Sequence, residues 1–208
     1  MNTKNKILHI RKVTENPHLN FYDLTACKRS GKEFHYYVAS RAKNGKPEFI
    51  THENHVDGIM IYAVCKEDPG KIVLVRQYRY PLDAFVYEMP AGLVEKGEAV
   101  EVTAAREFHE ETGMELEVYT GGDPALRKAF YTTVGMTDES CGILYGYACG
   151  NPSGKFREET EEMEVVLADR MEVKRILREE KVAMMCAQSL VQFLHADEKK
   201  PFGFLEIG

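Results

Sequence analysis

The first fifty residues alternate apolar and polar positions in three short runs. "KILHIRKV", "NFYDLTACKRS" and "EFHYYVASRA" carry the period of two that puts every second side chain on one face of a strand. "NPHLN", "RSGKE" and "KNGKPE" interrupt them with turn-forming residues. The pattern predicts a small antiparallel meander with little core of its own. Residues 55–80, "HVDGIMIYAVCKEDPGKIVLVRQYRY", hold two longer apolar runs around "EDPG", which predicts a long hairpin of buried strands. "AFVYEMPAG" adds a short strand ended by Pro90, and "MELEVYT", "CGILYGYACG" and "MEVVLA" read as further strands.

Elsewhere the period lengthens to that of a helix. Residues 99–112 have helical character. Asp169 stands as an N-cap before "RMEVKRILREEK", and "AMMCAQSLVQFLHA" carries a second apolar stripe whose methionines and cysteine read as core. The tail "DEKKPFGFLEIG" takes no assignment. The fold class is therefore α/β (α+β), with an N-terminal antiparallel β appendage over residues 1–50 and a main domain over 51–208.

Composition narrows the classes. With 208 residues and 44% of them hydrophobic, the chain can bury a real core. A net charge of −6 leaves no basic nucleic-acid footprint at the level of the whole chain, so no nucleic-acid partner is expected, although a local basic cluster can still meet an anionic ligand. No run of about 18 apolar residues predicts a membrane span. "MNTKNKILHI" lacks the apolar centre of a signal peptide. The five cysteines show no CxxC or zinc-type spacing and read as buried free thiols of a reducing compartment. The expectation is a soluble, cytoplasmic protein.

The chemistry gathers on the helix at 99–112. With Glu107 set at zero and about 100° per residue, Glu111 falls near +40° and Glu110 near −60°, so three carboxylates share one face. Val102, Ala105 and Phe108 are expected on the opposite face, packing on a sheet. Gly113 stands where a left-handed C-cap belongs, and Glu98 lies at the helix start, where the dipole favours an anion. No Lys follows the glutamates at i+4; the nearby cation is Arg106. Carboxylates clustered this way suit a hard divalent metal that bridges to phosphates. His109 reads as a satisfied, half-buried side chain.

Gly92, Glu98, Arg106, Glu107, Phe108, Glu110, Glu111, Gly113 and Met114 match the pattern G-x5-E-x7-R-E-U-x-E-E-x-G-U, with U apolar. Its seven fixed identities arise by chance at ~10⁻⁸ per start site, given ordinary residue frequencies. The stretch resembles the Nudix box, and the strand order extends the resemblance over roughly residues 50–195. The resemblance implies a Nudix-type mixed sheet sandwiched between helices, and Mg²⁺-dependent hydrolysis of a nucleoside diphosphate linked to another moiety, Mn²⁺ being the alternative metal. It implies metal ligation by Glu107, Glu110 and Glu111 with the carbonyl of Ala91, and an orienting role for Glu98 and Arg106.

The flanks "VRQYRYPLDAFVYEMPAGLVEKGE" look like the ADP-ribose pyrophosphatase subgroup, which implies substrate contacts at Gln77, Arg79 and Glu88. The same subgroup implies a homodimer built with the N-terminal sheet. It also implies a base or further metal ligand on the acidic loop "KFREETEEMEV", where Glu159 and Glu161 align best. The loop "FYTTVGMTDES" resembles the subgroup's proline-glycine loop, with Gly135 kept as a substrate contact and Val134 where proline would stand. A nucleoside diphosphate sugar is the expected substrate. Three readings stay open: an ADP-ribose enzyme giving AMP and ribose 5-phosphate, a UDP- or GDP-sugar pyrophosphatase, and a non-catalytic nucleotide-sensing module.

Overall fold

The structure is a computed structural model that describes residues 6–42, 46–53, 55–95, 97–155 and 162–208. By its internal contacts the chain divides into two compact units, residues 1–57 with 129–141 and residues 58–128 with 142–208.

In the first unit β1 (Ile7–Lys12), β2 (Asn20–Cys27) and β3 (Glu33–Ser40) form the expected meander, in the order β1-β2-β3 and antiparallel throughout. Alternation sorts its faces. Tyr22, Leu24 and Val38 bury together against Ile7, Ile10 and Phe49. Between them Asp23 is held by Arg11 and His35 at 2.7 Å each, and this pairing keeps its carboxyl below the usual range. A four-residue helix α1 (Glu48–Thr51), which the periodicity does not signal, follows Pro47.

The second unit is built on a large sheet. β4 (Gly58–Cys65), β5 (Lys71–Arg79), β8 (Glu115–Val118), β10 (Ser140–Cys149) and β11 (Met163–Asp169) run in the order β11-β5-β4-β10-β8. β6 (Ala84–Glu88) pairs with β5, and the short β9 (Phe130–Tyr131) pairs with the start of β10 in the first unit. Most neighbours are antiparallel. β4 and β10 run the same way, since Asp57 N–H meets the carbonyl of Ser140 and Lys66 N–H that of Ala148. The sheet is therefore mixed, as expected. Pro90 ends β6 only locally: the chain resumes after it as a strand, β7 (Ala91–Leu93), paired with the start of β4.

Helix α2 (Val100–Thr112) covers one face of this sheet. Ile59, Ile61, Ala63 and Cys65 of β4 point to it and pack with Ala104, Phe108 and Leu144. Tyr62, of opposite parity, packs instead with Phe202 and Phe204 of the tail, which forms a short 3-10 turn over Gly203–Leu205. Helices α3 (Arg170–Glu179) and α4 (Met184–His195) pack on each other and against β11 and β6. Asp169 caps α3 as its sequence predicts, accepting from the N–H groups of Met171 and Glu172 at 2.8 Å. Two expectations about burial need correction. Met184 is exposed at the first turn of α4, and of the five free thiols only Cys65 and Cys186 are buried. Burial pushes the Cys186 thiol up to about 12, so it is a packing group. Among the described residues no helix is long and apolar enough to cross a membrane.

Candidate active site

The loop before α2 and the helix itself bring the carboxylates together. Ala99 enters the helix with extended dihedrals and no side-chain cap. The carboxylate of Glu98 lies beside the first turn and accepts from the Thr103 hydroxyl at 2.7 Å. At the other end Gly113 takes the left-handed conformation, φ 70°, and its N–H closes on the carbonyl of His109 at 2.8 Å. A side chain there would meet Ser153 at 2.6 Å, so glycine answers both the dihedral and the crowding.

Arg106 is the centre of the cluster. Its Nη2 donates to Glu98 at 3.2 Å, and its Nη1 donates to Glu107 at 3.0 Å and to Glu110 at 3.2 Å. Three carboxylates on one guanidinium offset the repulsion that the sequence raises. Hydrogen bonds from Arg106 and then Thr103 hold the Glu98 carboxyl below the usual glutamate range. The same bond to Glu98 is the main reason that Arg106 is held above its ordinary value.

Glu107 reaches its place because residue 92 has no side chain: a β-carbon at Gly92 would be built into the Glu107 carboxylate. Glu111 behaves differently from its neighbours. It is 6% exposed, and its Oε2 accepts from the N–H of Ala91 at 3.1 Å. The expected division of the helix into a carboxylate face and an opposite apolar face is thus corrected. Val102 is 57% exposed and Ala105 is exposed too, while Thr103, Ala104, Phe108 and Thr112 are buried. On the wheel Ala104 falls at about +60° and Phe108 at about +100°, so the buried stripe begins beside Glu111. His109 is half-buried and faces Glu115 at 3.0 Å.

Among the described residues no three acidic, His or Cys side chains converge around one point as a metal would require. Glu107 and Glu110 turn to Arg106, and Glu111 turns to the backbone at Ala91. The donor chemistry nevertheless fits a hard cation: three carboxylates from one helix beside the backbone of residue 91, with the cradle at Gly92 holding one of them.

Gln77, Arg79 and Glu88 come together on β5 and β6. Arg79 holds Glu88 with both arms of its fork, Nε to Oε1 and Nη2 to Oε2, each at 2.7 Å. Gln77 and Arg79 line a cleft with Tyr78, Tyr80, Pro81 and Glu162. Three positions beyond Glu88 the chain reaches Ala91, so the backbone links this cleft to the carboxylate cluster. Gly135 belongs to the first unit, where its carbonyl accepts from the Tyr36 hydroxyl at 2.8 Å. Glu159 and Glu161 lie outside the described residues. Two participants escape the sequence reading. Thr103 is polar on a packed helix face, which was a usable signal, and Glu162 sits at the end of an acidic run whose members look alike.

The chain is also similar to known proteins. A family model described as the NUDIX domain matches residues 54–187. An ADP-ribose pyrophosphatase of Bacillus subtilis (strain 168) is 41% identical over 111 residues, 53% of this chain and 56% of that protein, so the chain spans little more than half of that relative. A methanol dehydrogenase activator of Bacillus methanolicus is 32% identical over 159 residues, 74% of this chain and 80% of that protein. A solved structure of an ADP compounds hydrolase superposes with a TM-score of 0.66 over 89% of both chains at 16% identity, a likeness of fold.

Proposed function

The chain belongs to the Nudix family, and from that premise we propose that it hydrolyses the diphosphate bond of a nucleoside diphosphate sugar of the ADP-ribose kind, giving AMP and a sugar phosphate. One observation carries the reading: Arg106 gathers Glu98, Glu107 and Glu110, while Gly92 leaves room for the Glu107 carboxylate. A solvated acidic face needs neither the shared guanidinium nor the glycine.

Glu107, Glu110, Glu111 and the Ala91 carbonyl are the residues that would hold Mg²⁺ or Mn²⁺. When bound, the cation supplies charge neutralisation for the diphosphate and activation of water. The chain's own residues do the rest. Arg106 keeps the carboxylates from splaying apart, and Glu98 keeps Arg106 in place. Arg79, oriented by Glu88, supplies positive charge for a phosphate oxygen, and Gln77 supplies an amide beside it. Glu159 or Glu161 takes the proton of the attacking water. Water adds to one phosphorus, the bridging P–O bond breaks, and two phosphate monoesters leave. The protein works in the cytoplasm as a homodimer joined through its N-terminal sheet. The B. subtilis relative supports the adenosine substrate.

Val134 supports a second reading. It is 74% exposed immediately before Gly135, in the loop that resembles the subgroup's proline-glycine loop. A different residue there favours a UDP- or GDP-sugar over ADP-ribose.

Both readings are tested by release of phosphate monoesters with Mg²⁺ from ADP-ribose, UDP-glucose, GDP-mannose and NADH. Preference for ADP-ribose is expected. Preference for UDP-glucose or GDP-mannose selects the second reading, and turnover of none sinks the hydrolase assignment in favour of a nucleotide-sensing module.

A further inference from the structure

The N-terminal sheet buries Tyr22, Leu24 and Val38 on one face and carries rings on the other. Phe21, Asp23 and Thr25 of β2 share that outer face with Tyr37 and His35 of β3, Asp23 standing across from Tyr37 and Thr25 across from His35. The rings form a row. Phe21 and Tyr37 lie 5.7 Å apart between centroids with their planes 5° apart, and Tyr37 and His35 lie 6.5 Å apart at 19°. Phe21 is 41% exposed and Tyr37 54%. The acid of this face, Asp23, is 6% exposed and is taken up by Arg11 and His35. It therefore leaves the rings without a free negative charge beside them.

Positive charge gathers at one end of the same sheet. Residues 1–42 hold eight lysines and arginines and three acids, a net +5 in a chain whose total is −6. The β2–β3 hairpin closes with Lys28 N–H on the carbonyl of Lys32 at 2.9 Å, so Lys28, Arg29 and Lys32 stand around one turn. Cys27 N–H bonds the carbonyl of Lys6 at 2.8 Å, which brings Lys6 to the same end. All four are exposed, and among the described residues none of them has an ion-pair partner. The row of rings runs along β3 toward this end, His35 being three positions, or about 10 Å of extended chain, from Lys32. Cations alone suit any polyanion, and rings alone suit any apolar surface. The two side by side select a chain that alternates planar bases with anionic phosphates.

We propose that the outer face of the N-terminal sheet binds single-stranded nucleic acid, with Phe21 and Tyr37 stacking on bases and Lys6, Lys28, Arg29 and Lys32 holding phosphates. In a duplex the bases are stacked on one another and closed to these rings, so the single strand is the form that fits. The charge of the whole chain conceals this footprint, because residues 43–208 carry −11. The inference does not rest on the hydrolase reading, and the failure of either leaves the other standing.

The test uses the full chain and a fluorescein-labelled oligouridine of about twelve nucleotides, followed by fluorescence anisotropy. Binding is expected at about 50 mM salt and should weaken about twentyfold by about 200 mM, as for roughly three phosphates. Tyr37→Ala and Phe21→Ala are each expected to weaken it about tenfold, while Tyr37→Phe, which keeps the ring, binds as the wild type does. Arg29→Ala combined with Lys32→Ala should flatten the salt dependence by about two phosphates. Both residues lie in an exposed turn, so this variant decides the matter should the ring variants fail to fold. No binding at low salt overturns the proposal. So does equal affinity for a duplex of the same length, or undiminished binding by Tyr37→Ala and Phe21→Ala, since either leaves a charged patch only. A dimer that Tyr37→Ala dissociates, with no oligouridine bound by the wild type, places a second copy on this face and overturns it as well.

Discussion

The Glu107 carboxylate lies in the space that a β-carbon on residue 92 would fill. Gly92 is in strand β7, paired with Ile59, and Glu107 is in the second half of α2. The end of the Glu107 side chain therefore occupies space that glycine leaves open, and a methyl at residue 92 would have to displace that carboxylate.

Gly92→Ala is expected to displace Glu107 and lower kcat about 10- to 100-fold, the usual penalty when the support of a metal-binding group is disturbed. Far-UV circular dichroism should remain that of the wild type, since the strand can keep its pairing. A variant with unchanged kcat would show that the position of Glu107 is immaterial to the reaction.

Arg106 meets three carboxylates with three different nitrogens. A lysine offers one point charge and cannot span them. Arg106→Lys is expected to lose about 10- to 100-fold in kcat/KM, with Mg²⁺ needed at higher concentration for half-maximal rate. An unchanged Mg²⁺ requirement would mean that the arginine does not hold the metal-binding carboxylates.

Much of this arrangement is readable in the sequence, for physical reasons that differ by position. The strands of the N-terminal sheet show because apolar residues such as Tyr22, Leu24 and Val38 turn to one shared face, so "NFYDLTAC" alternates. Gly113 and Asp169 show because helix ends demand particular residues. Glu111 does not show: a polarity pattern counts it with Glu107 and Glu110, and only the sheet beneath reveals that it shares the stripe of Ala104 and Phe108. Strand β7 is masked by "PAG", which reads as a turn until β4 supplies a partner. The attachment of 129–141 to β3 spans some hundred positions of chain and leaves no local signature.

Glu111 separates two roles that a single substitution would confuse. Glu111→Gln keeps the volume and an oxygen for the Ala91 N–H, so stability should change little, while loss of charge lowers kcat about 100-fold. Glu111→Ala also removes the acceptor of that part-buried N–H and costs roughly 1 kcal/mol of stability. Thermal unfolding beside steady-state kinetics distinguishes the two. Full activity in Glu111→Gln would remove Glu111 from the metal-binding set.

The Glu98–Arg106 contact carries a pH signature. Arg106 and Thr103 hold the Glu98 carboxyl below its ordinary value of 4.5, so the folded state binds its proton less readily than the unfolded chain does. A depressed folded value means stability that is fully present above pH 4.5 and lost as pH falls through the lower, folded value. Glu98→Gln lacks this contribution at every pH. The difference in Tm between wild type and Glu98→Gln should therefore stay level from neutral pH down to the ordinary carboxylate range, then close at more acid pH. High salt should shrink the level part, because the pair is partly exposed. A difference that has already closed at pH 6, or that widens on acidification, would show that Glu98 is not held by Arg106 in solution, and the orienting role proposed for it would fall.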